Sequence, residues 1–317
     1  MIKNSSTKDL KLTNNERLFL ESTSKFSPKI YKNIKPKGFK IYTFNAGFKK
    51  KYDDLLVIIF DEIVNSINIY SKTSTPSAPI IWDKKNNNGK VKALIVNSGN
   101  ANAHTGKKGL KLIDNYVDFL SKLIKCKKSN ILVSSTGVIG ETFDPKLIIR
   151  QLSKINYCKP SNLLQAAKSI MTTDTYPKIS ISNVKIGKKS FKIFGIAKGS
   201  GMIQPNMGTM LAYIFIEAKL SKLLMNKLIK SNLENTFNSI SVDSDTSTSD
   251  TLILFSLGQT KININHNNLK KLNISIHNVM KDLALKIVKD GEGIKKLIKV
   301  NLYECNTKKQ AKKIGFS

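Results

Sequence analysis

The amino-acid sequence predicts an α/β fold, and two patterns support this prediction. Short runs rich in apolar, aromatic and β-branched residues, each bounded by Gly, Asn, Asp or Ser, are typical of buried strands. Between several of these runs, apolar residues recur at the spacing of one helical face. An alternation of strands and helices indicates an α/β architecture. The chain has 317 residues, 40% of them hydrophobic, which suffices for one large domain or two smaller ones.

Five strands and two helices are predicted along the chain. The strands cover residues 55–60, 92–97, 131–135, 211–216 and 251–257. One helix is predicted from Leu110 to Ile124 and another from Leu220 to Phe237, because apolar residues recur there every three or four positions. The polar, lysine-rich residues 1–27 are expected to form a poorly ordered extension.

The charge of the chain is strongly positive, with 53 basic and 22 acidic residues and a formal net charge of +31. A basic surface can bind the phosphate backbone of nucleic acids. However, only Arg17 and Arg150 are arginine, the side chain favoured for bidentate phosphate contacts, and the lysines are spread along the whole chain. We therefore expect no specific nucleic-acid partner.

Composition also bears on the compartment. No apolar run approaches the roughly 20 residues that a membrane helix needs, and the N-terminal region lacks the apolar stretch of a signal peptide. The three cysteines, Cys126, Cys158 and Cys305, are widely spaced and fit neither a disulfide framework nor a zinc site. The expectation is a cytoplasmic protein with no membrane partner and no metal.

The segment KGSGMIQPNMGTML, residues 198–211, carries the most chemical information. Three glycines and a proline precede Thr209, and a predicted strand follows it, so the threonine stands where a loop enters a strand. A threonine becomes a good nucleophile when it is the first residue of a chain, because its own α-amine, with an ordinary pKa of about 7.7–8.0, serves as general base. This hypothesis requires cleavage between Gly208 and Thr209. The alternative is an ordinary β-forming threonine.

This segment resembles the self-cleavage site of the ArgJ family, the ornithine acetyltransferases or glutamate N-acetyltransferases. Three further segments resemble the same family in the same order: NSGNANAHTG at residues 97–106, SSTGVIG at 134–140 and SVDSDTSTSD at 241–250. The short motif DGEG at residues 290–293 supports them. The resemblance runs from about Gly38 to the end of the sequence, and four ordered motifs are far more specific than a single glycine loop.

The resemblance implies a sandwich of two facing sheets covered by helices, α/β/β/α, of the self-processing N-terminal-nucleophile type. Cleavage after Gly208 would yield an alpha chain of residues 28–208 and a beta chain of residues 209–317, assembled as a heterotetramer of two of each. Thr209 would carry acetyl from N-acetylornithine to glutamate. No tightly bound cofactor is implied, and the use of acetyl-CoA to make N-acetylglutamate is left open.

Two further catalytic residues follow from the resemblance. The hydroxyl of Thr136 and the backbone N–H of Gly137 would stabilise the oxyanion of a tetrahedral intermediate, where each donor contributes roughly 2.7–4 kcal/mol. The alternative interpretation of this pair is a turn with a permissive glycine.

Three substrate contacts also follow from it. Lys198 would pair with a substrate carboxylate, although an isolated lysine is by default a solvated surface group. Thr172 would contact the substrate, with a helix N-cap or a turn as its alternative. Glu292 would meet the substrate amino group.

The sequence departs from the family in several places. Glycine stands at Gly208 where alanine is usual, and His104 stands where cysteine is frequent and is expected to be a turn residue rather than a base. Residues 241–250 lack the spacing of a calcium loop and are expected to be a structural loop near the site. The family continues beyond the position of Ser317 with a segment that contacts the substrate. A related N-terminal-nucleophile hydrolase or aminopeptidase, or an inactive family member, therefore remains an alternative.

Overall fold

The computed structural model describes residues 31, 34, 36–204, 210–263 and 265–316. Gly208, Thr209 and the predicted extension of residues 1–27 lie outside this part of the chain. Eight strands are described: β1 Phe39–Phe44, β2 Leu55–Tyr70, β3 Lys90–Asn100, β4 Ile131–Val138, β5 Lys178–Ile186, β6 Lys189–Lys198, β7 Leu211–Ala218 and β8 Thr251–Thr260. Seven α-helices are described with them: α1 Ala78–Asn86, α2 Gly106–Leu123, α3 Lys146–Leu152, α4 Leu163–Ser169, α5 Lys222–Leu233, α6 His266–Val288 and α7 Lys308–Gly315.

The strands form one mixed sheet with two halves, joined through the long strand β2. The sheet order is β4-β3-β2-β8-β7-β6-β5, and β1 pairs with β2 beside this path. The first half of β2 pairs with β1 and β3, whereas residues 65–70 pair with β8. A register shift between Ile59 and Val64 separates these two stretches. The pairs β3–β4 and β7–β8 are parallel, and the other pairs are antiparallel.

The inner faces of the two halves pack on each other around a cluster of phenylalanines. Phe39 and Phe60 come from β1 and β2, and Phe194, Phe215 and Phe255 come from β6, β7 and β8. The ring centroids of Phe39 and Phe215 lie 4.8 Å apart, and those of Phe215 and Phe255 lie 5.2 Å apart. Burial of each ring contributes about 1.5–3 kcal/mol, so this aromatic layer is a main source of cohesion between the halves.

Helices cover both outer faces. Helices α5 and α6 bury Leu228 and Leu283 against strands β5–β8, in the same cluster as Ile193 and Ile214. Helices α1, α2 and α3 cover β1–β4 in a second cluster that includes Tyr116. The layer order is thus helix, sheet, sheet, helix, which confirms the expected α/β/β/α sandwich. Among the described helices, none is long and apolar enough to cross a membrane.

The sequence located five of the eight described strands and missed β1, β5 and β6. All five predicted strands are present and extend beyond their predicted ends, and the two predicted helices correspond to α2 and α5. The hairpin of β5 and β6 was missed because lysine, serine and asparagine interrupt its apolar residues; the two strands meet at Gly187, where φ is 59°. Helix α6 was also missed, although Leu272, Ile276 and Leu283 follow a helical spacing, because lysine and asparagine fill its exposed face.

Candidate active site

The described residues of the four motifs lie at one end of the sandwich. In the first half of the sheet, Ser98 pairs with Thr136 at the carboxyl ends of β3 and β4. In the second half, Lys198 at the end of β6 pairs with Leu211 at the start of β7, which in turn pairs with Thr251 at the start of β8. The fold therefore brings distant parts of the sequence to neighbouring strand ends.

The segment that follows α4 connects the two halves at this end. The Ser98 hydroxyl donates to the Ser169 carbonyl at 2.5 Å, and the Lys49 ammonium donates to the Met171 carbonyl at 2.6 Å. One residue further on, the Thr172 hydroxyl lies 3.2 Å from the Lys198 Nζ. This series of contacts joins the neighbourhood of Thr136 to that of Lys198.

Lys198 is buried, with 4% of its surface exposed, so the default expectation of a solvated surface lysine is wrong. Burial lowers the pKa of the Lys198 ammonium, whereas the nearby carboxylates of Asp174 and Glu292 oppose this change. A buried ammonium beside a hydroxyl is a suitable partner for an incoming carboxylate, because the low dielectric strengthens the attraction.

Thr172 belongs to a tight turn and is not a helix N-cap. Its backbone N–H donates to Asp174 Oδ2 at 3.0 Å, and Asp174 Oδ1 accepts the Gly199 N–H at 2.7 Å. Burial by itself raises the pKa of Asp174, but the positive charges of Lys178 and Lys198 and the N–H of Gly199 lower it to about 2. Asp174 is therefore an ionised anchor beneath the Thr172 turn.

Glu292 lies against the loop that follows Lys198. Its backbone N–H donates to the Ser200 carbonyl at 3.0 Å, and its side chain is exposed. A Cβ atom at Gly201 would lie 2.8 Å from the Glu292 carboxyl carbon, so glycine at this position makes room for the carboxylate. Glu292 also lies near enough to Lys198 for its charge to oppose the lowering of the pKa of that ammonium by burial, so one cation, one hydroxyl and one anion lie in the same neighbourhood.

Thr136 and Gly137 lie within β4 and do not form the turn that was the alternative interpretation. Thr136 is buried, and Gly137 has a φ of 131°. A Cβ atom at Gly137 would lie 2.2 Å from the Gly99 carbonyl carbon, so only glycine can stand here. Gly99 at the end of β3 and Gly137 at the end of β4 thus face each other. Gly137 is exposed.

The start of β7 is held by Asp250. Met210, the residue after Thr209, donates its N–H to Asp250 Oδ1 at 2.9 Å and accepts the Thr251 N–H at 3.0 Å. Burial raises the pKa of Asp250 well above its usual range, and the Met210 N–H opposes this rise. Because Gly208 and Thr209 lie outside the described residues, their roles stay predictions.

The segment 241–250 packs near the site, as the sequence predicts. Asp243 accepts the backbone N–H groups of Met202 and Ile203 at 2.5 and 2.8 Å, which ties this segment to the loop after Lys198. His104 is exposed with a φ of 58°, which is the geometry of a turn residue.

Lys49 and Lys178 were not identified from the sequence, and Asp290 was noted only as part of the motif DGEG. Lys49 and Lys178 are ordinary lysines in a lysine-rich sequence, so composition hides them. The spacing of Asp174 and Lys178, four residues apart in a segment of uncharged residues, is a usable signal for an ion pair.

Comparison with known proteins agrees with this architecture. The family model described as the ArgJ family matches residues 40–317. The arginine biosynthesis bifunctional protein ArgJ of Bradyrhizobium diazoefficiens is 38% identical over 290 residues, which are 88% of this chain and 70% of that protein. The protein of the same name from Agrobacterium fabrum is 38% identical over 307 residues, which are 93% of this chain and 74% of that protein.

A solved structure is similar as well. The crystal structure of the arginine biosynthesis bifunctional protein ArgJ from Bacillus halodurans is 32% identical, with a TM-score of 0.50. The similarity covers 54% of this chain and 91% of that chain. The match of the family model over most of the sequence, together with relatives at 38% identity, shows that this chain belongs to the ArgJ family.

Proposed function

We propose that this protein moves an acetyl group from N-acetylornithine to glutamate through an acetyl-Thr209 intermediate. The observation that carries the proposal is the buried Lys198 ammonium, 3.2 Å from the Thr172 hydroxyl and close enough to Glu292 for its charge to act on the lysine. This arrangement suits an amino acid, which presents a carboxylate and an amino group a few ångströms apart. Membership of a family whose similar members are named for arginine biosynthesis supports the choice of substrates.

In the first half-reaction, the Thr209 hydroxyl attacks the acetyl carbonyl of N-acetylornithine, and the α-amine of Thr209 accepts the hydroxyl proton. The Thr136 hydroxyl and the Gly137 N–H donate to the oxyanion. The carbon–nitrogen bond of the amide then breaks, and ornithine leaves with that proton on its amine. The acetyl group remains as an ester on Thr209.

In the second half-reaction, the amine of glutamate attacks this ester. The intermediate collapses to N-acetylglutamate, and the Thr209 oxygen regains a proton that the glutamate amine gives up. Lys198 and Thr172 hold the carboxylate of each substrate, and Glu292 faces an amino group. Since both substrates present a carboxylate, one site serves both halves of the ping-pong reaction.

The proposal includes self-processing between Gly208 and Thr209, which frees the α-amine that the mechanism needs. The products are a chain that ends at Gly208, with its folded part in residues 28–208, and the chain 209–317, assembled as a heterotetramer of two of each in the cytoplasm. The relatives are named bifunctional, and for a second activity of this chain we propose acetyl-CoA as an alternative acetyl donor to glutamate. With that donor, coenzyme A leaves as the thiol in place of ornithine.

The test uses the purified full chain, N-acetylornithine and isotopically labelled glutamate. Equal amounts of ornithine and labelled N-acetylglutamate are expected. Release of acetate in place of N-acetylglutamate would favour a related N-terminal-nucleophile hydrolase. A folded protein that forms neither product would be an inactive family member. A parallel reaction with acetyl-CoA tests the second donor.

A further inference from the structure

We propose that Lys178 is a positioning residue, which aligns the three segments that carry the substrate contacts by binding two buried carboxylates. The inference rests on the proposed function, because it concerns the same substrate contacts. Lys178 is the first residue of β5, and its side chain is fully buried. It therefore reaches no substrate and acts only through other residues.

Lys178 is the centre of a buried ion triad. Its Nζ lies 2.6 Å from Asp174 Oδ1 and 2.5 Å from Asp290 Oδ2, and all three side chains are at most 2% exposed. The Nζ also lies 4.8 Å from the centre of the Tyr176 ring. Taking three charges out of water is costly, and apolar residues of similar volume often give equal or greater stability. Stability alone therefore does not explain this arrangement.

We call residues 172–175, 199–201 and 290–292 the contact segments, because they contain or adjoin Thr172, Lys198 and Glu292. The first carboxylate, Asp174, binds two of them. Its Oδ2 accepts the Thr172 N–H at 3.0 Å. Its Oδ1 accepts the N–H of Gly199, the residue after Lys198, at 2.7 Å. One side chain thus sets the spacing between Thr172 and Lys198.

The second carboxylate, Asp290, holds the third segment. It accepts the backbone N–H of Thr175 at 3.0 Å and also the Thr175 hydroxyl. Its backbone carbonyl accepts the Ser200 hydroxyl at 2.6 Å, and the Ser200 carbonyl accepts the Glu292 N–H at 3.0 Å. Glu292 is thereby joined to the loop that carries Lys198.

The Lys178 charge is what allows the two carboxylates to stay side by side. Without it, Asp174 and Asp290 would repel each other in a water-free environment, and one of them would have to move or take up a proton. Either change would separate Glu292 from Thr172 and Lys198. Neither carboxylate bonds to Thr136, Gly137 or Met210 among the described contacts, so substrate affinity should suffer more than the chemical step.

The test compares Lys178→Met with Lys286→Met. Lys286 is a matched control: it is also largely buried, and its Nζ donates to Asp282 Oδ2 and to the Ile179 carbonyl, both at 2.6 Å. It joins α6 to β5, and neither of these two partners belongs to the segments 172–175, 199–201 and 290–292. Both variants remove a buried ammonium from an ion pair with an aspartate four residues away.

For Lys178→Met, we expect the KM for glutamate to rise about tenfold or more while kcat falls by no more than about threefold. For Lys286→Met, we expect a comparable loss of thermal stability with KM within about twofold of the wild type. Lys178→Arg, which keeps the charge, should recover part of the affinity. An unchanged KM in folded Lys178→Met would overturn the inference.

Two further measurements keep the inference testable. If Lys178→Met does not fold, Asp290→Asn removes one charge with little change in size, and it should also raise KM. Hydrogen exchange of peptides that cover residues 172–175, 199–201 and 290–292 needs no turnover. It should speed up in Lys178→Met and not in Lys286→Met, and equal exchange in the two would refute the alignment. If the wild type shows no acetyl transfer, the proposed function is refuted. The hydrogen-exchange result then still tests whether Lys178 aligns the three segments.

Discussion

The Asp250 carboxylate accepts the backbone N–H of Met210, with 2.9 Å between Oδ1 and the nitrogen. Met210 directly follows Thr209 in the sequence and lies just before β7. Its carbonyl accepts the N–H of Thr251, the residue after Asp250, at 3.0 Å. The start of β7 is therefore held through both backbone polar groups of Met210, by Asp250 and Thr251 where the neighbouring strand β8 begins.

Asp250→Ala should slow self-cleavage by about tenfold or more. The buried Met210 N–H would lose its acceptor, which costs about 1–3 kcal/mol and loosens the position of the adjacent Thr209. The measurement is the rate at which intact-mass analysis shows the full-length chain being converted into two shorter chains.

Asp83→Ala is the control for this prediction, because Asp83 is also a buried aspartate that accepts a backbone N–H, from Val133 at 3.0 Å. It should lower stability and leave the cleavage rate near that of the wild type. Equal slowing by both variants would mean that Asp250 acts on cleavage only through general stability.

Thr209→Ala should leave the chain uncut and abolish acetyl exchange, because one hydroxyl serves both reactions. Thr209→Ser should retain part of each activity. Intact-mass analysis reports cleavage, and exchange between N-acetylornithine and labelled glutamate reports transfer. The nucleophile assignment fails if Thr209→Ala exchanges acetyl at the wild-type rate.

Gly137→Ala should be far more harmful than Gly140→Ala. Both glycines have a positive φ, 131° and 90°, and a side chain costs about 1–2 kcal/mol in such a conformation. A Cβ at Gly137 would also collide with Gly99 at 2.2 Å, whereas nothing lies within 4 Å of a Cβ at Gly140. Urea unfolding measures the stability of each variant, and the acetyl-transfer rate measures the effect on the oxyanion site.

The difference in stability between the two variants reports mainly the steric contact between β3 and β4, since each variant also carries a backbone penalty for its positive φ. A Gly137→Ala protein with the stability and transfer rate of Gly140→Ala would contradict the close approach of the strand ends.

The stability of the protein should depend on pH through Lys49. Burial lowers its pKa to about 8 from 10.5, while the carboxylates of Asp54 and Asp174 oppose this change and Lys198 adds to it. Between about pH 8 and 10.5, the folded state has lost a proton that the unfolded state still holds. The free energy of unfolding that Lys49 contributes should therefore rise with pH in this window.

The measurement is the free energy of unfolding of the wild type and of Lys49→Met at several values from pH 7 to 10.5. The wild type should gain stability relative to Lys49→Met across the window set by the pKa of about 8. Lys50→Met, in which the neighbouring exposed lysine is replaced and Lys49 is kept, should follow the wild type. A flat difference between wild type and Lys49→Met would indicate that the Lys49 ammonium is not desolvated.

The sequence by itself determined the family, the strands β2, β3, β4, β7 and β8, and the residue types of the site. These features are local: a run of β-branched residues or the motif around Thr136 can be recognised without knowing what lies beside it. The order of four such motifs was sufficient to predict the sandwich, which β1–β8 and their helices form.

Only the tertiary structure decided which lysines are part of the site. Lys178 and Asp290 are 112 positions apart in the chain, and Met210 and Asp250 are 40 apart. In a sequence with so many lysines, a lysine of the site cannot be distinguished from a surface lysine. In the folded protein the two kinds differ in how deeply they are buried. Lys198 and Lys178 are functional candidates because the fold removes water from their charges and places carboxylates beside them, and that environment exists only once distant strands have come together.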